Sequence, residues 1–225
     1  MILSIETSTN VCSVALHKQG QLIAHLVSNE AYSHAEKLAI MIDELLKMAK
    51  IPRNELAAVA VSAGPGSYTG LRIGTSTAKG ICYALDIPLI AIGTLESMLE
   101  GLELNKDIDL LCPMIDARRM EVYCLLAKID GLVIETTQAK IIDQFSYEEH
   151  LNASKIAFYG NGAEKCKSVL THRNATFIDN INPSAIHIGK LAEARYKAAE
   201  FADLVYFEPE YLKAYHAIKA KNPLL

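Results

Sequence analysis

The feature that most limits how this chain can fold is an order of elements that occurs twice. In the first half, Ile2 to Thr7, Cys12 to Lys18 and Gln21 to Ser28 read as three strands of an antiparallel meander, with turn chemistry at Ser8-Thr9-Asn10 and Gln19-Gly20. Ser33 to Lys50 carries Leu38, Met41, Ile42, Leu45 and Met48 at helical spacing. Ala57 to Ala63 reads as a strand broken by Gly64-Pro65-Gly66, Gly70 to Leu85 as a helix stopped before Pro88, and Leu89 to Ile92 as a strand. A short helix near Leu95 to Leu102 ends this half.

The second half repeats the order. Leu110 to Asp116, Glu121 to Ile129 and Leu132 to Ile141 form another meander, and a short helix lies near Tyr147 to Leu151. Lys155 to Tyr159 is a strand broken by Gly160-Asn161-Gly162, a helix follows through Leu170, and Ala175 to Ile178 is a strand. Ser184 caps a long helix, Ala185 to Ala199. A doubled order of this kind implies an α/β fold of two ribonuclease-H-like subdomains facing each other across a cleft. That is the actin-like ATPase (ASKHA) architecture, which bears on fold more than on function. The expected division is 1–104 and 105–225, with the boundary near Glu103 to Lys106. The tail from Phe207 has no periodicity and is expected to pack back on the first subdomain.

Composition narrows the function. With 51% hydrophobic residues in 225, the chain can bury a sizeable core. No apolar run approaches the ~20 residues of a membrane helix, and the first residues read as a strand rather than a signal peptide, so the expected location is cytoplasmic. The net charge of −4 and the lack of a dense Lys/Arg cluster argue against gripping RNA alone. Five cysteines without a C-x-x-C pair oppose a disulfide framework or a cysteine zinc site. The seven histidines form no His-x-x-x-His, and no Gly-x-Ser-x-Gly elbow exists. Neither a catalytic constellation nor a metal site is therefore expected.

Three stretches carry chemistry with two readings each. Glu6, Thr7, Ser8 and Thr9 close the first hairpin, where an actin-like ATPase brings hydroxyls and backbone N–H groups to phosphates; the alternative is an ordinary turn. Gly64, Gly66 and Ser67 precede a helix whose free N–H groups suit an anion, or they form a purely structural turn; no Gly-Lys-Ser/Thr follows, so this is not a Walker A loop. Gly70, Gly74, Thr77 and Ala78 give the next helix a small face, for close packing on its own sheet or for a partner helix. Ala39, Ile40 and Leu46 add apolar residues off the main stripe of the Ser33 helix, a sign of a second packing surface. Arg72 and Arg118 are candidates for interface or anion contacts.

Four stretches together resemble the TsaB family, within the group historically called glycoprotease or peptidase M22 (YeaZ-like). They are Ile2 to Ala15, Ser33-His34-Ala35-Glu36-Lys37-Leu38, Gly64-Pro65-Gly66-Ser67-Tyr68-Thr69-Gly70-Leu71-Arg72-Ile73-Gly74, and Asp116-Ala117-Arg118-Arg119-Met120-Glu121-Val122-Tyr123. The tail Pro209-Glu210-Tyr211-Leu212 also fits. The resemblance implies a non-catalytic scaffold of the assembly that transfers threonylcarbamoyl to adenosine 37 of tRNAs reading ANN codons. Its catalytic relative, TsaD, holds a metal with two histidines four apart; alignment puts Thr94 and Met98 at those places, and neither replaces imidazole on a hard metal. The implied contact with a TsaD-like subunit uses the two N-terminal helices, through Ser33, His34, Leu38, Ile42, Leu46, Gly70, Arg72, Gly74, Thr77, Ala78 and Ile81. A TsaE-like ATPase joins, tRNA is met only through the complex, and the chain forms a homodimer when alone. No intrinsic cofactor is implied, although ATP or ADP can sit at the interface with the catalytic partner. The competing reading is an autonomous actin-like ATPase or kinase. Against it, Glu6 stands where that class has Asp, and the second half lacks an Asp-x-Gly-Thr turn.

Overall fold

In the computed structural model, which describes residues 1–29, 34–100, 102 and 107–213, the doubled order becomes two five-stranded sheets. The first contains β1 (Ile2–Glu6), β2 (Cys12–Lys18), β3 (Gln21–Ser28), β4 (Ala58–Ser62) and β5 (Leu89–Ile92), in the order β3-β2-β1-β4-β5. β1 pairs antiparallel with β2 and parallel with β4, which pairs parallel with β5. The second contains β6 (Leu110–Asp116), β7 (Glu121–Lys128), β8 (Val133–Ile141), β9 (Ile156–Tyr159) and β10 (Ala175–Ile178), in the order β10-β9-β6-β7-β8. Each is the same sheet read from either edge, with a hairpin meander on one side of the central strand and parallel strands on the other. The actin-like ATPase architecture follows from this duplication. Residues 103–106, where the subdomain boundary was expected, lie outside the described residues.

Alternation decides which face each residue covers. Leu3 and Ile5 of β1 join Val59 and Val61 of β4 beneath α1 (His34–Ala49) and α2 (Tyr68–Leu85), where Leu38, Leu45, Ala78 and Cys82 close the layer. Ile2, Ala58, Ala60, Ile90 and Ile92 face the opposite side and are covered by Ile188 and Ala192 of a later helix. Helix numbering continues along the chain with α3 (Thr94–Leu99), α4 (Glu148–Ala153) and this covering helix, α5 (Ala185–Lys197). α5 follows the second sheet in sequence yet lies across the first. Ser184 caps it by accepting from the Ile186 N–H at 3.3 Å, and the Ala185 N–H donates to Ser13 Oγ at 3.0 Å. Gly189 lets α5 come down onto a buried imidazole, since a Cβ there would fall 2.0 Å from His17 Nδ1. Arg195 forks onto both oxygens of Glu96 at 2.7 Å and donates to the Ala91 carbonyl at 2.6 Å, joining α5 to β5 and α3.

One expected element differs. The segment from Ala163 to Leu170 is not an α-helix but a 3₁₀ turn, Glu164–Cys166, continued by further turns. Ala163, Cys166 and Leu170 are all buried in the second core. Tight winding, with Cys166 N donating to Ala163 O and Val169 N to Cys166 O, keeps these residues on one side over a short span.

The tail runs back over α2. Ala202 bridges to Leu89, Lys79 Nζ donates to the carbonyls of Val205 (3.0 Å) and Phe207 (3.1 Å), and the Glu210 N–H donates to Ala63 O at 2.7 Å. Lys213 ion-pairs with Glu121 of β7, so the described tail touches both halves. Among the described residues, no helix is long and apolar enough to cross a membrane.

Candidate functional site

The first hairpin turn and the loop before α2 meet in a closed junction. Thr7 Oγ1 donates to the Gly70 carbonyl at 2.8 Å, and the Ser67 N–H donates to the Ser8 carbonyl at 2.6 Å. Glycine is required where the two backbones touch. A Cβ on Gly66 would lie 2.4 Å from the Ser8 carbonyl oxygen, one on Gly70 2.0 Å from that of Thr7, and one on Gly74 2.3 Å from Thr7 Oγ1. Gly64, at φ +104°, meets the Glu210 carbonyl of the tail in the same way. Ser67 caps α2 by accepting from the Gly70 N–H at 3.2 Å. His34 locks the far end of the turn by donating from Nε2 to the Thr9 carbonyl at 2.7 Å.

Glu6 lies at the centre of this junction and is fully buried. One carboxyl oxygen accepts from the Ser8 N–H at 2.5 Å, while Oε2 has no partner. Desolvation raises its pKa to about 7, against the lowering pull of the neighbouring polar groups of Ser8, Ser62 and Thr7. The group is therefore half-protonated near neutrality. The structure thus brings Glu6, Thr7, Ser8, Thr9, Gly64, Gly66 and Ser67 together, but in a junction whose backbone groups bind one another. Arg118 is elsewhere, at the exposed tip of the β6–β7 hairpin, where its N–H donates to Asp116 Oδ1 at 3.1 Å.

The residues expected at a partner surface divide sharply. His34, Leu38, Ile42 and Leu46 are buried in the protomer, as are Gly70, Gly74 and Ala78. Leu46, read from sequence as lying off the main stripe, belongs to the same core as Leu38. Thr77 and Ile81 are half-buried, Arg72 is exposed with its guanidinium 4.3 Å from the Tyr68 ring centroid, and Ser33 lies outside the described residues. The large apolar residues that α1 and α2 do expose are Ile40 (56%), Met48 (64%) and Tyr83 (84%). Of these only Ile40 was singled out in the sequence. Met48 was assigned to the inward stripe, and a continuous 3.6-residue projection, which puts Ile40, Glu44 and Met48 on one outer line, would have found it.

Thr94 and Met98 are wholly internal. The Thr94 N–H donates to Gly64 O at 2.8 Å, and Met98 packs beside Leu95 and Tyr159, whose hydroxyl donates to the Met98 carbonyl at 3.1 Å. A Cβ on Gly160 would lie 2.8 Å from Met98 Cε, so the thioether occupies this space.

Known proteins resemble this chain in sequence and in fold. A family model described as "TsaD: tRNA N6-adenosine threonylcarbamoyltransferase" matches residues 21–221. The tRNA threonylcarbamoyladenosine biosynthesis protein TsaB of Haemophilus influenzae is 28% identical, with 94% of this chain and 93% of the relative aligned. Its counterpart from Buchnera aphidicola subsp. Baizongia pistaciae is 32% identical over 86% of this chain and 89% of its own. A crystal structure of a Pseudomonas aeruginosa protein with similarity to peptidase YEAZ shares the fold, with a TM-score of 0.83 at 24% identity over 94% of this chain and 99% of that one. Relatives aligned along nearly their whole length, a matching family model and a shared fold lead to one conclusion: the chain belongs to the TsaB family, within the TsaD-like group.

Proposed function

We propose that this chain is the non-catalytic scaffold subunit of a tRNA threonylcarbamoyladenosine assembly, docking a TsaD-like catalytic subunit on the outer face of α1 and α2. The observation that carries this reading is the exposure of Ile40, Met48 and Tyr83 on two adjacent helices whose inner faces are already filled. Met98, packed in a hydrophobic cluster where the catalytic relative has a metal ligand, supports a role other than chemistry. The mutual bonding of the Glu6 and Gly64–Gly70 loops supports it too, because their backbone groups are committed within the chain. In this reading Gly70, Gly74 and Ala78 act from inside, by setting the height of α2 over the sheet. A TsaE-like ATPase completes the assembly, any ATP or ADP binds at the interface with the catalytic subunit, and tRNA is held by the complex. Without its partner the chain covers the same helical face with a second copy.

A charge on this face tests the reading. Ile40→Asp is expected to weaken binding of the TsaD-like subunit by roughly 100-fold, because the carboxylate is buried unpaired in the complex. Its melting temperature should stay within about 2 °C of the parent, since the side chain is exposed in the protomer. Titration calorimetry with undiminished affinity would remove α1 from the interface.

A further inference from the structure

The outer face of α2 has a neighbour on each side: α1 on one, and the tail turn Asp203–Phe207 on the other. The backbone of this turn is held at more than half of its polar groups. Asp203 Oδ1 accepts from the N–H groups of Val205 (2.8 Å) and Tyr206 (2.9 Å), Phe207 N donates to Asp203 O at 2.9 Å, and Lys79 holds the Val205 and Phe207 carbonyls. Yet the turn presents two large side chains to solvent, Val205 at 73% and Tyr206 at 82% exposure. Lys79, which holds the turn, precedes the exposed Tyr83 by one turn of α2.

Size decides what this patch is for. A stable interface takes roughly 20–30 residues and about 800 Å² from each partner. α1 offers seven exposed residues and α2 six, which falls short. The adjoining apolar surface is the tail turn, tied to α2 by Lys79.

We propose that the Asp203–Phe207 turn is a third element of the docking face for the TsaD-like subunit, with Val205 and Tyr206 as anchors. The proposal rests on the helical docking face described above. Because the turn is already ordered, binding through it costs little conformational entropy, and a tyrosine with only two side-chain torsions suits an anchor. Lys79 couples the two parts, since it fixes the turn to the helix that carries the rest of the face.

The test compares full-length Tyr206→Ala, Val205→Asp and Ile40→Asp chains for binding to the TsaD-like subunit, and for self-association by light scattering. Thermal unfolding serves as the folding control. We expect Tyr206→Ala to bind the partner at least roughly tenfold more weakly and Val205→Asp more weakly still, with both folded. If Ile40→Asp loses the partner while both turn variants bind as the parent does, the turn is outside the interface and the proposal fails while the helical face stands. If the turn variants lose only self-association, the occupant is a second copy and the proposal is overturned. If Ile40→Asp also binds normally, the helical face itself fails and the proposal falls with it.

Discussion

Replacing Gly70 by valine is expected to destabilise the chain by about 3 kcal/mol or more, lowering the melting temperature by roughly 10 °C. The added Cβ would sit 2.0 Å from the Thr7 carbonyl oxygen, and a backbone carbonyl at the end of β1 cannot rotate away as a side chain can. Relief requires lifting α2 from the sheet, which breaks the Thr7–Gly70 bond and opens the layer formed by Ala78 and Cys82. Gly80 is the control on the same helix. A Cβ there meets nothing within 4 Å, so Gly80→Ala should raise stability by about 0.5–1 kcal/mol through helix propensity alone. Chemical denaturation of the two variants checks both signs. Equal effects would mean that α2 does not rest on the hairpin turn as described.

The second large effect is a pH dependence centred on Glu6. Its pKa is about 7 in the folded chain, against 4.5 for an unperturbed glutamate. Between these values the folded state holds a proton that the unfolded state has released, so stability falls as pH rises. The contribution is fully present below about pH 4.5 and is lost as pH passes through 7, a difference of about 3 kcal/mol. Glu6→Gln keeps an oxygen to accept from the Ser8 N–H and cannot ionise. Its stability relative to the parent should therefore be flat below pH 4.5 and rise by about 3 kcal/mol toward pH 8. Urea denaturation of both chains at matched pH reads the difference directly. A parent-minus-variant difference independent of pH would show that Glu6 ionises normally, and would move the cause away from burial.

Much of the fold was legible because period and punctuation agreed. Strand alternation in Cys12 to Lys18, the stripe of Leu38 to Leu45 and the Gly64 and Gly160 breaks each point to the elements observed. Ala163 to Leu170 misled because eight residues with apolar spacing do not distinguish an α-helix from a 3₁₀ turn, and only the core they share decides. The site was harder. Glycines at 70 and 74 announce a close approach but not to what, and the partner is Thr7, more than sixty residues earlier. Likewise Leu38, Ile42 and Leu46 are apolar for the sake of the protomer core, while the free face is written in Ile40, Met48 and Tyr83. The crossing of α5 onto the first sheet has no local signature, since its sequence shows only an apolar stripe and not which sheet receives it.

In the role proposed above, this chain supports catalysis by another subunit and performs none itself. The most direct test of that role is an omission assay: TsaD-like and TsaE-like subunits, tRNA, and a separate enzyme that makes the donor threonylcarbamoyl-adenylate from ATP, threonine and bicarbonate, with and without this chain, with threonylcarbamoyladenosine quantified in the tRNA. The account predicts product only when the chain is present, and little product when Ile40→Asp replaces it. Equal product without the chain, or product from the chain when the TsaD-like subunit is left out, would contradict it.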